Sequence, residues 1–405
     1  MTTKRIFAIL FIFMGALVAW MILGAANLSR TDSSSYTLRS EVASLYGGDL
    51  VFETPKSYRY VESTHKEWAA DGTEIEKITF SPSYLEPLKS DVFIDVSLDQ
   101  RKRGNLWFPT FKADFSGEYL FKADEPDEAY YLRAALGSSD SIYKNIQLAI
   151  NGELVSDLLP LIRGEQYLVT PDEEGYVRVN LSYQSTGMEN LYYYISPDYQ
   201  IAQLNDFNLT IRTDFEDFDF PATMMSPGEK VQTDEGFELI WSLDQAVTGK
   251  DLGLIIPNKL NPGDIVPRVT FFAPVPLLFF FTVLLILTSL LNCSFHPMHY
   301  FFLAATFFSF HLMYSYFSDH MNLYLTFGVA SLISLVLTVT YLRLFAPPKV
   351  AYLWAPLTQF VYLVMFSFSF FFDGFTGLIL TVCSVLTLFV LMQLTGRVDW
   401  EKMFT

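Results

Sequence analysis

Residues 6–26 (IFAILFIFMGALVAWMILGAA) contain no charged side chain. A helix needs about 20 apolar residues to cross a bilayer, so this run is long enough to span one. Lys4 and Arg5 stand directly before it. From residue 269 onward five more such runs follow, at about 271–292, 300–318, 323–344, 351–372 and 375–395. Only 293–299, 319–322, 345–350 and 373–374 separate them, segments short and rich in turn formers. The pattern predicts an α-helical membrane bundle of six spans with antiparallel neighbours. Pro274 and Pro276 are expected to break the start of the second span, because proline lacks the N–H that a helix interior uses.

Between the first run and the rest lies a segment of a different kind. Residues 28–268 hold 21 of the 27 Lys/Arg and 40 of the 44 Asp/Glu, a net charge of −19. Phosphate backbones need basic partners, so this segment excludes nucleic-acid binding. The two cysteines, Cys293 and Cys383, fall in or beside hydrophobic runs. A disulfide framework, a thiol nucleophile and a cysteine zinc site are therefore excluded from the acidic segment.

Orientation follows from the Lys/Arg bias of short loops. With the N-terminus in the cytoplasm, Arg343, Lys349, Arg397 and Lys402 also fall inside, and the short outer loops hold no Lys or Arg. The expected order is a cytoplasmic N-terminus (1–5), a first span (6–26), an extracytoplasmic domain (27–268), a five-helix bundle (269–395) and a cytoplasmic tail (396–405). A competing reading makes Gly24-Ala25-Ala26 a signal-peptidase site. The apolar run is longer than the usual 7–15 residues of a signal, which favours a retained anchor. The cytoplasmic segments are too short for an output domain, so any signal must pass through another membrane protein.

The extracytoplasmic domain reads as mainly β and sandwich-like. Val92, Ile94, Val96 and Leu98 alternate with Phe93, Asp95 and Ser97, a period of two. Residues 108–121 are rich in aromatics with a glycine turn at Gly117; 146–150, 176–183, 208–213 and 237–243 read as further strands, and Asn151-Gly152 is a hairpin signal.

No phosphate loop, nucleophile elbow or zinc-protease motif occurs. His65 is the only histidine in the domain, too few for a zinc site or a histidine-dependent triad. Three acidic runs, 124–128, 172–174 and 214–219, are expected to be solvated loops and not calcium sites. The last interleaves Phe215, Phe218 and Phe220, which fits a strand edge or a contact surface. Within 27–268, three N-x-S/T triplets, at Asn27, Asn180 and Asn208, carry little weight. Within the spans His311, Thr358 and Gln359 stand out, and no Asp, Glu, Lys or Arg occupies a span interior. His311 is expected to stay neutral and bond a neighbouring helix. No catalytic, cofactor or metal constellation is seen, and the chain is not expected to be an enzyme.

Three stretches carry a resemblance: HPMHYFFLAATFFSFHLMYSYFSDH (296–320), LTGRVDW (394–400) and SPGEKVQTDEGFELIWSL (226–243). Together they resemble the bacterial inner-membrane CreD family. The matching positions are His296-Pro297, Tyr300, Ser318, His320, Thr395, Val398, Asp399 and Trp400; Asp319 keeps the family's acid with a shorter arm, and Arg397 keeps a cation one place on. His299, in place of the family's Gln, and Gly396 and Glu401 depart from the family pattern. The resemblance implies an inner membrane and a role in cell-envelope integrity under stress. It supplies no molecular mechanism. His296, Pro297, Tyr300, Ser318, Asp319, His320, Arg397, Asp399 and Trp400 are thus site or packing candidates. Asp319 and His320 are expected either to bond the base of the outer domain or to cap the helix turn. Besides the lipid bilayer, the expected partner is a periplasmic or inner-membrane protein. The alternative is a lipid or small-solute transporter with His311, Gln359 and Gln393 around a polar cavity.

Overall fold

A computed structural model describes residues 3–68, 74–104, 106–195, 201–291, 293, 295–372 and 374–396. Arg397, Asp399 and Trp400 lie outside the described residues. The chain divides into two compact units, residues 38–259 and residues 1–37 with 260–405.

The first of these is a β domain. Its strands are β1 (Leu50–Glu53), β2 (Lys56–Trp68), β3 (Glu74–Leu85), β4 (Pro87–Leu98), β5 (Arg101–Arg103), β6 (Leu106–Phe108), β7 (Thr110–Lys122), β8 (Tyr130–Arg133) and β9 (Tyr143–Ile150). They continue as β10 (Glu153–Leu154), β11 (Tyr167–Val169), β12 (Tyr176–Met188), β13 (Asn190–Tyr194), β14 (Ala202–Thr213), β15 (Glu229–Gln232), β16 (Phe237–Thr248) and β17 (Leu252–Ile255). The main sheet has the order β10-β9-β12-β7-β4-β14-β16-β15, antiparallel except for the β4–β14 pair. Smaller sheets, β1-β13-β17 and β11-β8-β2-β3, contribute to the same core.

The alternation seen in the sequence is what builds that core. Val92, Ile94 and Val96 of β4 are buried, as are Phe111, Phe115, Tyr119 and Phe121 of β7 and Val177, Val179 and Leu181 of β12. The smaller sheets supply Phe52, Leu132, Leu191, Tyr193 and Leu254 to the same cluster, with Phe52 stacked on Phe115 at 4.9 Å. Such packing of sheets on one core fits a β-sandwich. The strands read at 92–98, 146–150, 176–183, 208–213 and 237–243 fall in observed ones, and Asn151-Gly152 turns β9 into β10 with both residues at positive φ. The glycine turn read in 108–121 does not form: β7 runs through Gly117, which pairs with Val92 of β4 and Leu181 of β12.

The second unit is helical. α1 (Thr3–Tyr46) runs 44 residues, well past the predicted end of the first span. A short α2 (Leu159–Arg163) belongs to the β domain. α3 (Pro262–Phe272) and α4 (Pro274–Leu290) meet at Ala273, where Pro274 has no N–H to continue the ladder. α5 (Pro297–Phe317) and α6 (Leu323–Leu342) follow. A helical run over Val350–Phe371 alternates its winding, with π turns at Val350–Trp354 and Phe360–Met365, and the last helix is Thr376–Thr395. Among the described residues, five helices are long and apolar enough to cross a membrane: Lys4–Tyr46, Pro262–Leu290, Leu323–Leu342, Val350–Phe371 and Thr376–Gln393. α5, read as the third span, forms a 21-residue helix without Asp, Glu, Lys or Arg. Its His, Tyr, Ser and Thr residues make it less apolar than the other five. It buries Thr306, His311, Tyr314 and Ser315 against its neighbours.

The stretch 27–46, read as part of the β domain, is helical throughout. Once a span has nucleated a helix, each further residue adds a hydrogen bond without a new nucleation cost. Within the β domain the last turns are also held by side chains. Leu38, Val42, Ala43 and Tyr46 pack with Leu106, Phe108 and Met188, and Arg39 pairs with Glu189 at 2.5 Å.

Candidate functional site

The sequence-selected residues of α5 resolve into two roles. At its start His296 caps the helix: its Nδ1 accepts from the Met298 N–H at 3.3 Å, and Pro297 fills the first helical position. Tyr300 is buried against Phe281, with ring centroids 5.2 Å apart. These residues shape the helix entrance.

At its other end, α5 meets α1. Asn27 is buried and donates from Nδ2 to Ser315 Oγ at 2.8 Å and to Thr270 Oγ1 of α3 at 3.4 Å. One turn on, Arg30 donates to the Ser315 carbonyl at 2.9 Å, pairs with Asp319 at 3.2 Å and lies 4.9 Å from the centre of the Tyr316 ring. Ser318 is buried and donates to the same Ser315 carbonyl at 3.2 Å. Asp319 is expected at the outer domain's base or at a helix cap; its carboxylate takes Arg30, which the sequence places at that base and which lies on α1, 289 positions away in the chain. His320 is exposed, with its backbone N–H on the Phe317 carbonyl. The structure thus joins Ser318 and Asp319 to Asn27 and Arg30, two residues that sequence reasoning did not select. Asn27 was met only as an N-x-S triplet.

Deeper in the unit the polar side chains are spread along several helix contacts. Thr306 and Thr338 share a hydrogen bond at 2.8 Å, Ser334 donates to the Thr306 carbonyl at 2.6 Å, and Gln359 Nε2 donates to Ser334 Oγ at 2.8 Å. His311 was expected to bond a neighbouring helix, but its Nδ1 pairs with the Phe307 carbonyl of its own helix at 3.0 Å. Its ring meets Trp20 of α1 edge-on at 5.6 Å. Gln393 is exposed on the last helix. The three residues named for a transport cavity therefore occupy separate settings.

In the β domain, the acidic runs are solvated or cap turns. The Tyr176 N–H, then Arg178 and the Glu174 N–H, all bonded to the Asp172 carboxylate, hold that carboxyl below the usual range. Among the described residues no cluster of His, Cys, Asp or Glu is arranged for a metal ion. Phe215 is buried in the core, and Phe218 and Phe220 are half-buried against Phe237 and Trp241.

An exposed aromatic surface lies elsewhere, on the β2–β3 hairpin. β2 pairs with β3 from Ser57↔Leu85 to Trp68↔Glu74, but with β8 only over Lys56 to Tyr58. Beyond Tyr58 the hairpin is a two-stranded ribbon. Register puts Tyr58, Tyr60, Glu62 and Thr64 on one face with Tyr84, Pro82, Phe80 and Ile78. Tyr60 is 49% exposed, Ile78 56%, Phe80 63% and Tyr84 48%. Tyr58, Tyr60, Tyr84 and Tyr131 form a cluster with ring centroids 5.2–5.8 Å apart. His65 lies on β2, paired in register with Lys77.

No family model and no curated protein sequence matches this chain.

Proposed function

We propose that this chain is a six-span protein of the bacterial inner membrane, with both termini in the cytoplasm. Its outer β domain works by binding a partner protein through the β2–β3 ribbon, in support of cell-envelope integrity. The observation that carries this reading is the ribbon's aromatic face. Exposed aromatic and aliphatic side chains gathered on one face of a two-stranded element are unfavourable in water unless something covers them, and such ribbons are marginal by themselves. Tyrosine is suited to the task, with a large apolar body and a polar tip that tolerates water before binding. The Lys/Arg bias supports the orientation. The likeness of His296-Pro297, Ser318-Asp319-His320 and Val398-Asp399-Trp400 to CreD proteins supports the envelope role. The Asn27–Ser315 and Arg30–Asp319 contacts fix α1 against α5 and α3, so the anchor of the domain is held by the bundle.

The test is photocrosslinking in cells from Phe80 and Tyr60, with Ser81 and Ser83 on the opposite face as controls. A discrete protein adduct from the aromatic face alone is expected. Equal adducts from both faces, or none from either, would overturn the reading.

A further inference from the structure

An apolar groove of about 320 Å³ opens between α1 and α5. Its floor is made of small residues, Gly15, Ala16 and Ala19 on one helix and Ala304 and Ala305 on the other. Phe11, Phe301 and Phe308 form its walls. A Cβ placed on Gly15 would meet nothing within 4 Å, so the space there is open. The two helices run parallel, since Trp20 meets Phe308 and His311, Asn27 meets Ser315, and Arg30 meets Asp319. Trp20, fully buried against Phe308 at 5.9 Å, stands just past the groove on α1.

The N-terminal side of α1 carries the complementary charge. Lys4 and Arg5 precede Gly15 and Ala16 by 11 residues each. Eleven residues are close to three turns, so each cation shares a helix face with a groove residue, about 16 Å away along the axis at 1.5 Å per residue. One leaflet of a bilayer's hydrocarbon core is roughly 15 Å deep, half of about 30 Å. A chain whose head sits at Lys4 and Arg5 would therefore reach the groove with its tail.

We infer that the groove binds one acyl chain of an anionic phospholipid from the leaflet on the N-terminal side, with its phosphate at Lys4 and Arg5. The small floor residues let the chain lie close to both backbones, and the phenylalanine walls give it three apolar contacts. The two cations select anionic over zwitterionic headgroups, since a Lys or Arg near an anionic lipid surface contributes about 1 kcal/mol, roughly fivefold, each. This inference rests on the membrane-spanning reading of α1 and is independent of the ribbon and its partner.

Native mass spectrometry of the full chain from nanodiscs of equal phosphatidylglycerol and phosphatidylethanolamine tests it. The expected result is a monomer retaining one phosphatidylglycerol in preference to phosphatidylethanolamine. Gly15→Leu with Ala305→Leu fills the groove and should remove the adduct. Lys4→Gln with Arg5→Gln alters only the N-terminal end of the helix, and should keep a lipid while losing preference by an order of magnitude or more. Equal retention of both lipids by the wild type would overturn the inference. So would an undiminished adduct in the filled variant, no adduct in the wild type, or a dimer without lipid, which would put a second helix in the groove.

Discussion

The ion pair of Arg30 and Asp319 has both side chains partly open, 37% and 43% exposed. By itself such a pair contributes only about 0–1 kcal/mol. Asn27 is the stronger tie, because its amide is buried and would lose its partners in an apolar setting. Asn27→Leu is expected to lower the thermal stability of the detergent-solubilised chain more than Asp319→Asn does. The exchange Arg30→Asp with Asp319→Arg should recover what either single reversal loses. If the double exchange is as damaged as the singles, the pairing is not what matters there. In the β domain three buried tyrosines make a second residue-scale prediction. Tyr119 and Tyr193 share a hydrogen bond at 3.0 Å, and Thr54 bonds Tyr193 at 3.0 Å. Burial pushes Tyr119 and Tyr183 well above the usual phenol range, and Tyr193 up to about 12. An unfolded tyrosine ionises near pH 10, so the folded state holds these protons longer than the unfolded one. The stabilisation is complete below pH 10 and is lost as pH rises from 10 through 12, about 3 kcal/mol for Tyr193 alone. Alkaline unfolding followed by circular dichroism should show that loss, and Tyr193→Phe should make it shallower.

Elements differ in how far the sequence declares them. β4, β7, β12, β14 and β16 bury one face each, so a period of two was written in their residues. β2 and β3 were not legible in that way, because beyond Tyr58 the ribbon exposes both faces and polar residues stand on each. The α1 extension was unreadable for a different reason. Its first half, RTDSSSYT, is poor in helix formers, and continuity with the span on one side and packing of Leu38, Val42 and Tyr46 with Phe108 and Met188 on the other hold it. The candidate site was half legible: Asp319 was selected, but Arg30 is joined to it only by the packing of α1 on α5. One glycine gives the element-scale test. A Cβ on Gly236, before β16, would come within 2.1 Å of the Thr213 carbonyl oxygen, a backbone atom of β14. On Gly228 it would meet nothing nearer than the Ile240 carbonyl oxygen at 3.8 Å. Gly236→Ala should therefore cost about 2 kcal/mol or more of β-domain stability, by overpacking that moves backbone. Gly228→Ala should stay within about 1 kcal/mol, and equal urea midpoints for the two would contradict this.

Across the whole chain, the parity of the spans decides on which side each loop falls. Among the described residues five helices are apolar enough to span a membrane on composition alone, and α5 is the candidate for a sixth, uncharged but rich in hydroxyl and imidazole groups. Burial of part of those groups inside the helical unit favours a crossing: Thr306 and Ser315 bond side chains of α6 and α1, and His311 Nδ1 bonds a carbonyl of its own helix. If α5 crosses, Arg343 and Lys349 fall on the same side as Lys4 and Arg5, in keeping with the Lys/Arg bias. If it does not, the two cations move to the side of the β domain and the bias is broken. The two free cysteines, Cys293 and Cys383, can be replaced by serine to give a blank background. In that background Lys349→Cys should resist a membrane-impermeant maleimide in intact spheroplasts and label only after permeabilisation. Ser139→Cys in the β domain should label without it. Labelling of both positions in intact spheroplasts would show that α5 stays on one side, and the six-span reading would give way to five.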